Sequence, residues 1–243
     1  MQSWCITDPG CVRIQNQDAY KVETLDRNRL LCVVCDGMGG AKSGNIASTL
    51  ASDVFAQEVA TVWKNNMDKR ETEEMLHRTI KLVNFTVYDQ ASQVQDFSGM
   101  GTTLVAALLH GKHATIVNVG DSRAYLIHRD GIRQITTDHS LVQMMVDRGE
   151  LTPQEARRYP GKNLITRAIG TEHTVMCDIF HLELEKDQLL LLCTDGLSNL
   201  LDEQEILFEV LHGQDREQCC RRLLDIALNR GAPDNVTCVL VQI

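Results

Sequence analysis

The stretch LLCVVCDGMGG, residues 30–40, constrains the fold more than any other part of the sequence. Six consecutive apolar residues, with two valines and two cysteines among them, predict a short strand that is buried on both faces. Asp36 follows where that strand is predicted to end. Glycines at 37, 39 and 40 allow the backbone to turn sharply and to approach a ligand closely. The sequence therefore predicts a buried strand that presents one carboxylate at a glycine turn.

The composition is that of a folded protein with an acidic surface. With 243 residues, 43% of them hydrophobic, the chain can bury a sizeable core, and we favour one large domain over two small ones. The net charge of -9 opposes a nucleic-acid groove as the main function. No apolar run reaches the roughly 18 residues of a membrane span, and the N-terminus has no signal-peptide pattern. We therefore expect a cytoplasmic protein that binds neither nucleic acid nor membrane.

Nine cysteines raise the question of a disulfide framework. Their number is odd, the chain is long, and most of them lie in apolar strand or helix patterns, so we interpret them as reduced core residues. Cys32 and Cys35 have the spacing of a metal or redox pair. In a strand, however, residues three apart point to opposite faces, which argues against such a pair.

The order of the apolar segments favours antiparallel sheets with segregated helices. Apolar residues at helical spacing predict helices over about 43–60 and 71–95. Three apolar segments separated by turn residues, TLVAALLH, HATIVNVGD and AYLIHRDG, predict antiparallel strands. The strands come in blocks and few helices alternate singly with strands, which disfavours a doubly wound parallel sheet.

The second half of the chain begins with a change of character at about residue 138. Ser140 with Gln143, and Thr152 with Glu155, have the spacing of capping boxes, which predicts two short helices joined by polar loops. Two further strands, two helices and a closing strand, VTCVLVQI, complete the predicted order.

Aspartates recur at the ends of predicted strands. Asp36, Asp121 and Asp195 each follow an apolar strand and lie beside a glycine. A single case is explained by the common Asp-Gly turn, but three cases, together with Asp18 and Asp234, indicate that carboxylates are brought together. Like charges in one place repel unless cations neutralise them. Oxygen ligands without a His or Cys cluster indicate Mg²⁺ or Mn²⁺ and argue against the usual zinc site.

Eight motifs in this order cover nearly the whole chain: RIQNQDAY, VVCDGMGG, GMGTTLV, VNVGDSRAYL, TTDHSLV, TRAIGT, CTDGLSNLL and GAPDNVTCVLV. The series resembles the protein phosphatase 2C family of metal-dependent Ser/Thr phosphatases, in its compact bacterial form. The resemblance implies an α+β fold, a four-layer α-β-β-α sandwich with two central antiparallel sheets and outer helices. It also implies a single catalytic domain over residues 1–243, with a flap insert at about 139–171.

The resemblance also assigns roles to individual residues. Asp36 matches the carboxylate that bridges two metal ions, and the carbonyl of Gly37 matches a ligand of the second ion. Asp195 and Asp234 match ligands of the first ion. Arg13 matches the arginine that binds the substrate phosphate, a role that suits its planar fork of donors.

Two further aspartates have matched positions. Asp18 corresponds to a carboxylate that holds a metal-bound water. Asp121 corresponds to the residue that joins Asp195 at a third, weaker metal site. The implied cofactors are therefore two Mn²⁺ or Mg²⁺ ions with a third in addition. Two ions about 4 Å apart would activate water for attack on phosphorus without a protein nucleophile.

Three serines near the motifs are consequently not needed as nucleophiles, and we interpret them as residues that cap or turn the backbone: Ser43, Ser122 and Ser198.

The sequence departs from the family pattern at two places. Gln17 stands where many members have Glu, so we expect weaker metal affinity at the second ion. Met38 and Ala41 occupy the region in which many members have a histidine proposed as the general acid. His139 is present in the TDHS motif, and we interpret it as a packing residue. The general acid is therefore unassigned.

Three functional hypotheses follow. The first is a monomeric phosphoserine/phosphothreonine phosphatase that acts on phosphorylated proteins and opposes a bacterial Ser/Thr kinase. The second is a catalytically inactive binding module. Gln17 is the one feature in its favour, and the presence of Asp36, Asp195 and Asp234 argues against it. The third, hydrolysis of a small phosphoester, shares the metal centre.

Overall fold

The computed structural model describes residues 1–39, 43–213 and 215–243. In chain order, its strands are β1 (Gln2–Asp8), β2 (Asp18–Thr24), β3 (Arg29–Met38), β4 (Gly101–Thr102), β5 (Leu104–His110), β6 (His113–Val119), β7 (Arg123–His128), β8 (Gly131–Gln134), β9 (Asp178–Glu183), β10 (Leu189–Cys193) and β11 (Val236–Gln242). The α-helices are α1 (Gly44–Val62), α2 (Lys69–Gln93), α3 (Leu141–Asp147), α4 (Pro153–Ala156), α5 (Asp195–Ser198), α6 (Glu203–His212) and α7 (Arg216–Asn229).

These strands form two antiparallel sheets. The first has the order β1-β11-β10-β7-β8, and the second has the order β2-β3-β5-β6-β9, with β4 paired to β3. Three apolar layers hold the elements together. One lies between α1, α2 and the second sheet, one between the two sheets, and one between the first sheet and α5, α6 and α7. The predicted four-layer sandwich is confirmed.

Strand β3 is buried on both faces, as its composition predicts. Cys32 packs in the layer between the sheets, whereas Cys35 packs in the layer beneath α1 and α2. The argument against a Cys32–Cys35 pair is confirmed, and all nine cysteines are free thiols. The predicted end of the strand at Asp36 is wrong. β3 continues to Met38 because the two residues of β4 pair with it beyond Asp36.

The glycine turn is described only in part. Gly39 has a positive φ of 145°, as a glycine turn requires. Gly40 and Ala41, which the sequence analysis also singled out, lie outside the described residues.

The long helix α2 begins two residues earlier than its apolar pattern predicts. The backbone N–H of Glu71 donates to the Asp68 carboxylate at 2.8 Å, and the Glu71 carboxylate accepts from the Asp68 N–H at 2.9 Å. This capping box fixes the start of the helix, which the apolar positions alone do not mark.

The three apolar segments after α2 do not form one meander. β5 and β6 pair in the second sheet, whereas β7 crosses to the first sheet and pairs with β10 and β8. The crossing follows Gly120, which has a positive φ of 108°. The loop after Gly120, which contains Asp121, therefore runs from the second sheet to the first.

The segment over 139–171 contains the two predicted short helices, α3 and α4. Thr152 and Glu155 form a complete capping box at α4. Ser140 accepts from the N–H of Gln143, but the Gln143 side chain donates to Asp147, so the predicted box at α3 is half formed. Within the described residues, no helix has the length and apolar character needed to cross a membrane.

Candidate metal centre and active site

The five predicted carboxylates come from both sheets and meet at one region. Asp18 begins β2 and lies opposite Asp36 in the β2–β3 register. Asp121 follows β6, Asp195 follows β10, and Asp234 precedes β11. The charges of Asp18, Asp195, Asp121 and Asp234 all act on Asp36. The structure thus brings together every acidic residue that the sequence analysis selected for the metal site.

Asp36 is the most central of the five. Burial raises the pKa of its carboxyl well above the ordinary value, and the neighbouring carboxylates raise it further. Its backbone is held firmly by Thr103, whose hydroxyl accepts from the Asp36 N–H at 2.9 Å and whose N–H donates to the Asp36 carbonyl at 2.9 Å. The side chain is therefore presented from a rigid strand.

Asp18 has one carboxylate oxygen with a partner and one without. Oδ2 accepts from the Thr194 hydroxyl at 2.9 Å, while the buried Oδ1 has no hydrogen-bond partner. Burial raises the pKa of Asp18 to about 7, and the charges of Asp195 and Asp234 add to that rise. A buried oxygen without a donor is costly, and a cation or a water held by a cation would satisfy it.

Asp195 is the first residue of α5, two residues after β10, and Asp121 lies on the loop that follows β6. Burial raises the pKa of both carboxyls, that of Asp121 to about 8, and each rise has a second cause in a nearby carboxylate. The side chain of Asn199 donates to Asp195 at 2.8 Å. The two aspartates interact with each other through charge, which is what a shared cation site requires.

Arg13 and Asp234 form an ion pair of 2.8 Å between Nη2 and Oδ2. Half of the Arg13 side chain is exposed. Asn235 joins the two loops that carry this pair. Its amide donates to the carbonyls of Pro9 and Gln15 at 2.9 and 3.0 Å, and its Oδ1 accepts from the N–H of Gln17. This role of Asn235 was not predicted from the sequence.

Gly37 packs too closely for any side chain. A Cβ there would lie 2.1 Å from the Gly44 carbonyl oxygen and 2.5 Å from that of Gln17. The Gly37 N–H donates to the Gln17 carbonyl at 3.1 Å. The side chain of Gln17 lies against Gly44, within 2.9 Å of where a Cβ on Gly44 would stand. Glycine at 37 is therefore required by close packing.

The carboxylates are close but do not form a finished ligand set. Within residues 1–39, 43–213 and 215–243, no three His, Cys, Asp or Glu side chains are placed to hold one metal ion as they stand. Asp234 is paired with Arg13 and Asp195 with Asn199 instead. The donor set nevertheless fits Mn²⁺ or Mg²⁺, because it consists of oxygens that repel one another and includes an unpartnered Asp18 oxygen.

A cleft of about 530 Å³ opens beside the carboxylates. It lies between the segment with α3 and α4 and the region of α5 and α6, and its lining includes Asp121, Asp195, Arg157 and Lys162.

An ion pair that the sequence analysis missed contributes to the lining of this cleft. Arg123 donates to both carboxylate oxygens of Asp138, at 2.6 to 3.0 Å, and also to the Tyr125 hydroxyl. Opposite charges in the motifs GDSR and TTDHS were the only signal of this pair.

His139 is buried and both of its ring nitrogens are engaged. Nδ1 accepts from the N–H of Gly120 at 3.1 Å, and Nε2 lies 3.3 Å from Asp178 Oδ2. Burial lowers the pKa of His139, which favours the neutral ring. His139 thus supports the turn before Asp121, in agreement with its interpretation as a packing residue.

Each of the three serines lies at the end of a helix or directly before a helix or strand. The hydroxyl of Ser122 is hydrogen bonded to that of Thr103 at 2.7 Å. Ser43 directly precedes α1, and Ser198 is the last residue of α5.

Comparison with known proteins points to one family. The family described as "Protein phosphatase 2C" matches residues 12–223. The serine/threonine phosphatase stp of Listeria monocytogenes is 36% identical over 239 residues, which are 97% of this chain and 93% of the relative. The crystal structure of serine/threonine phosphatase Stp1 from Staphylococcus aureus superposes with a TM-score of 0.93 at 38% identity, covering 100% of this chain and 94% of that one.

A further solved structure is that of the catalytic domain of the serine/threonine protein phosphatase PstP in complex with two manganese ions. It has a TM-score of 0.85 and 32% identity, and the match covers 99% of this chain and 97% of that one.

Proposed function

Because this chain belongs to the protein phosphatase 2C family, we propose that it hydrolyses phosphoserine and phosphothreonine in proteins with the help of Mn²⁺ or Mg²⁺. The observation that carries the proposal is the convergence on Asp36 of four other carboxylates, whose charges raise its pKa. A site built in this way is unfavourable without cations and becomes favourable with them. The two manganese ions of the similar PstP structure support the choice of metal.

Within this proposal, five residues of the chain would hold the two ions and a ligand water. Asp36 would bridge them, Asp195 and Asp234 would complete the first, and the Gly37 carbonyl would serve the second. Asp18 would orient a ligand water through its free Oδ1. When bound, such ions lower the pKa of water and neutralise phosphoryl oxygens.

A third, weaker ion would be held by Asp121 together with Asp195. The charge interaction between these two carboxylates supports this assignment.

Arg13 would bind the phosphate of the substrate. Its guanidinium is half exposed and anchored at the edge of the carboxylate cluster, where it now donates to Asp234. A phosphate oxygen is an equivalent acceptor for the same donor. A cation held by Asp234 would compete with Arg13 for the Oδ2 oxygen and would leave the guanidinium donors available to phosphate.

The proposal also covers the domain organisation, cellular location and partners of the protein. We propose one catalytic domain over residues 1–243, with the segment over about 139–171 acting as a flap beside the cleft. We further propose that the protein is a cytoplasmic monomer that takes part in signalling and opposes a Ser/Thr kinase, without nucleic-acid or membrane partners. Its substrates would be phosphorylated proteins.

The test is phosphate release from a phosphothreonine peptide by the wild-type protein with Mn²⁺, by the wild-type protein with EDTA, and by Asp36→Asn with Mn²⁺. We expect turnover only in the first case. Equal rates in all three would refute the metal mechanism. Circular dichroism of Asp36→Asn provides the control for folding.

Two results would point to the competing functions. Tight binding of the phosphopeptide without any phosphate release would indicate a binding module. Turnover of p-nitrophenyl phosphate without turnover of phosphopeptides or a phosphorylated protein would indicate hydrolysis of small phosphoesters.

A further inference from the structure

Two exposed apolar side chains flank Arg13 in the sequence. Val12 is 68% exposed and Ile14 is 99% exposed. Single exposed apolar residues are common on protein surfaces and carry no meaning alone. Their position on either side of the proposed phosphate-binding arginine is what distinguishes them from the others, such as Phe85 on the outer side of α2.

The loop that presents them is anchored at both ends. On the first side, the N–H of Cys11 donates to the Ala232 carbonyl at 2.9 Å. On the other, the Asn16 amide donates to the Thr7 hydroxyl at 2.7 Å.

Between these points, the carbonyl of Gln15 accepts from Asn235, and Arg13 is paired with Asp234. The loop over residues 9–17 is thus held against the loop that carries Asp234. Val12 and Ile14 are held in solvent by a constrained backbone.

We propose that Val12 and Ile14 form an apolar contact surface for the residues that flank the phosphorylated residue of the substrate. This inference rests on the proposed function, because it takes Arg13 as the phosphate-binding group. Adjacent residues of an extended peptide lie about 3.3 to 3.6 Å apart along the chain. A phosphate held by Arg13 therefore places the neighbours of the phosphoresidue within reach of Val12 and Ile14.

The chemistry of this surface favours apolar flanking residues. An apolar flanking side chain that packs against Val12 and Ile14 removes apolar area from water, whereas a serine at the same position buries little apolar area. Acidic flanking residues are disfavoured, because Asp8, the last residue of β1, directly precedes this loop and has a charge of the same sign. The preferred substrate is a phosphorylated segment with valine, leucine or isoleucine beside the phosphoresidue.

The experiment compares two phosphothreonine peptides that differ only at the two flanking positions, Leu in one and Ser in the other. The kcat/KM of the wild type and of the variants Ile14→Ser, Val12→Ser and Ile14→Leu is measured in the presence of Mn²⁺. A third substrate, p-nitrophenyl phosphate, has no flanking residues. Phe85→Ser, also an exposed apolar side chain, at 58%, is the matched control. Thermal unfolding verifies that each variant is folded.

We expect Ile14→Ser and Val12→Ser each to lower kcat/KM for the Leu-flanked peptide by roughly threefold to tenfold. Their kcat/KM for the Ser-flanked peptide and for p-nitrophenyl phosphate should stay within about twofold of wild type. Ile14→Leu should retain the preference, and Phe85→Ser should behave as wild type.

Three outcomes would overturn the inference. If the wild type does not prefer the Leu-flanked peptide, there is no apolar preference for Val12 and Ile14 to explain. An equal loss by Ile14→Ser on all three substrates would show that the residue only positions Arg13. A change of oligomeric state in Ile14→Ser and Val12→Ser, with unchanged peptide preference, would assign the surface to contacts between copies of this chain. Absence of turnover on every substrate by the wild type would refute the proposed function itself, which separates the two failures.

Discussion

Asp18→Asn is expected to stabilise the metal-free protein, because it removes a charge that the fold holds at a cost. Burial raises the pKa of Asp18 from 3.8 to about 7, and its Oδ1 lacks a hydrogen-bond partner. Asparagine has the same shape. Its oxygen can still accept from the Thr194 hydroxyl, and its amide would place donors among neighbouring carboxylates.

The magnitude follows from the shift in pKa. A group whose pKa is raised in the folded state favours folding below its unfolded value of 3.8, and that contribution is lost as the pH rises through about 7. At 1.36 kcal/mol per pKa unit, the ionised Asp18 lowers the free energy of unfolding by about 4 kcal/mol at pH 8. At pH 5 the same group lowers it by less than about 2 kcal/mol.

Urea unfolding of EDTA-treated wild type and Asp18→Asn at the two pH values measures this difference. Asp225→Asn, on the exposed side of α7, is the matched control and should change little at either pH. Saturating Mn²⁺ should stabilise the wild type more than Asp18→Asn, since the cation neutralises the same charge. A gain that is equal at pH 5 and pH 8, or a loss of stability at pH 8, would contradict the reasoning.

Three further substitutions test other contacts of the site. Arg13→Ala should raise KM for the phosphopeptide, while Mn²⁺ affinity measured by calorimetry stays equal or tightens, since Asp234 loses its partner; weakened Mn²⁺ binding would show that Arg13 is misplaced. Gln17→Glu should tighten Mn²⁺ binding roughly tenfold in the same assay, and an unchanged affinity would remove Gln17 from the second metal site. Arg123→Ala should lower the free energy of unfolding by about 3 kcal/mol in urea, because it leaves Asp138, whose side chain is only 10% exposed, without its counter-ion, and adding Asp138→Asn should recover part of the loss.

Much of the fold was predictable because its signals are local. The apolar run of β3 and the capping box of α4 depend on neighbouring residues alone, and the structure confirms them. Partner choice between sheets depends on contacts far apart in sequence. β7 therefore could not be assigned to the first sheet from its own residues, and β4, with two residues, has no periodic signal.

At the site, the sequence was sufficient to predict that the five aspartates lie together and insufficient for the groups that hold them. Asp36, Asp121 and Asp195 stand out because each was predicted to follow an apolar strand, whereas Asp18 begins β2 and Asp234 precedes β11. Asn235 and Arg123 act through partners more than ten residues away, and the residues next to them in sequence do not identify those partners. The residues that fix the geometry of a charged site are thus harder to predict than the charges themselves.

The ion pair between Arg13 and Asp234 predicts the order in which cations and phosphate bind to the site. While Asp234 is without a cation, its Oδ2 accepts from the Arg13 guanidinium at 2.8 Å. A phosphate that approaches then meets a neutralised arginine and several carboxylates of its own sign, which repel it. Cations held by the carboxylates would neutralise them, which would remove that repulsion and leave the Arg13 donors available. Cation binding should therefore precede phosphate binding, and both should draw on the same buried charges that make the metal-free fold less stable at high pH.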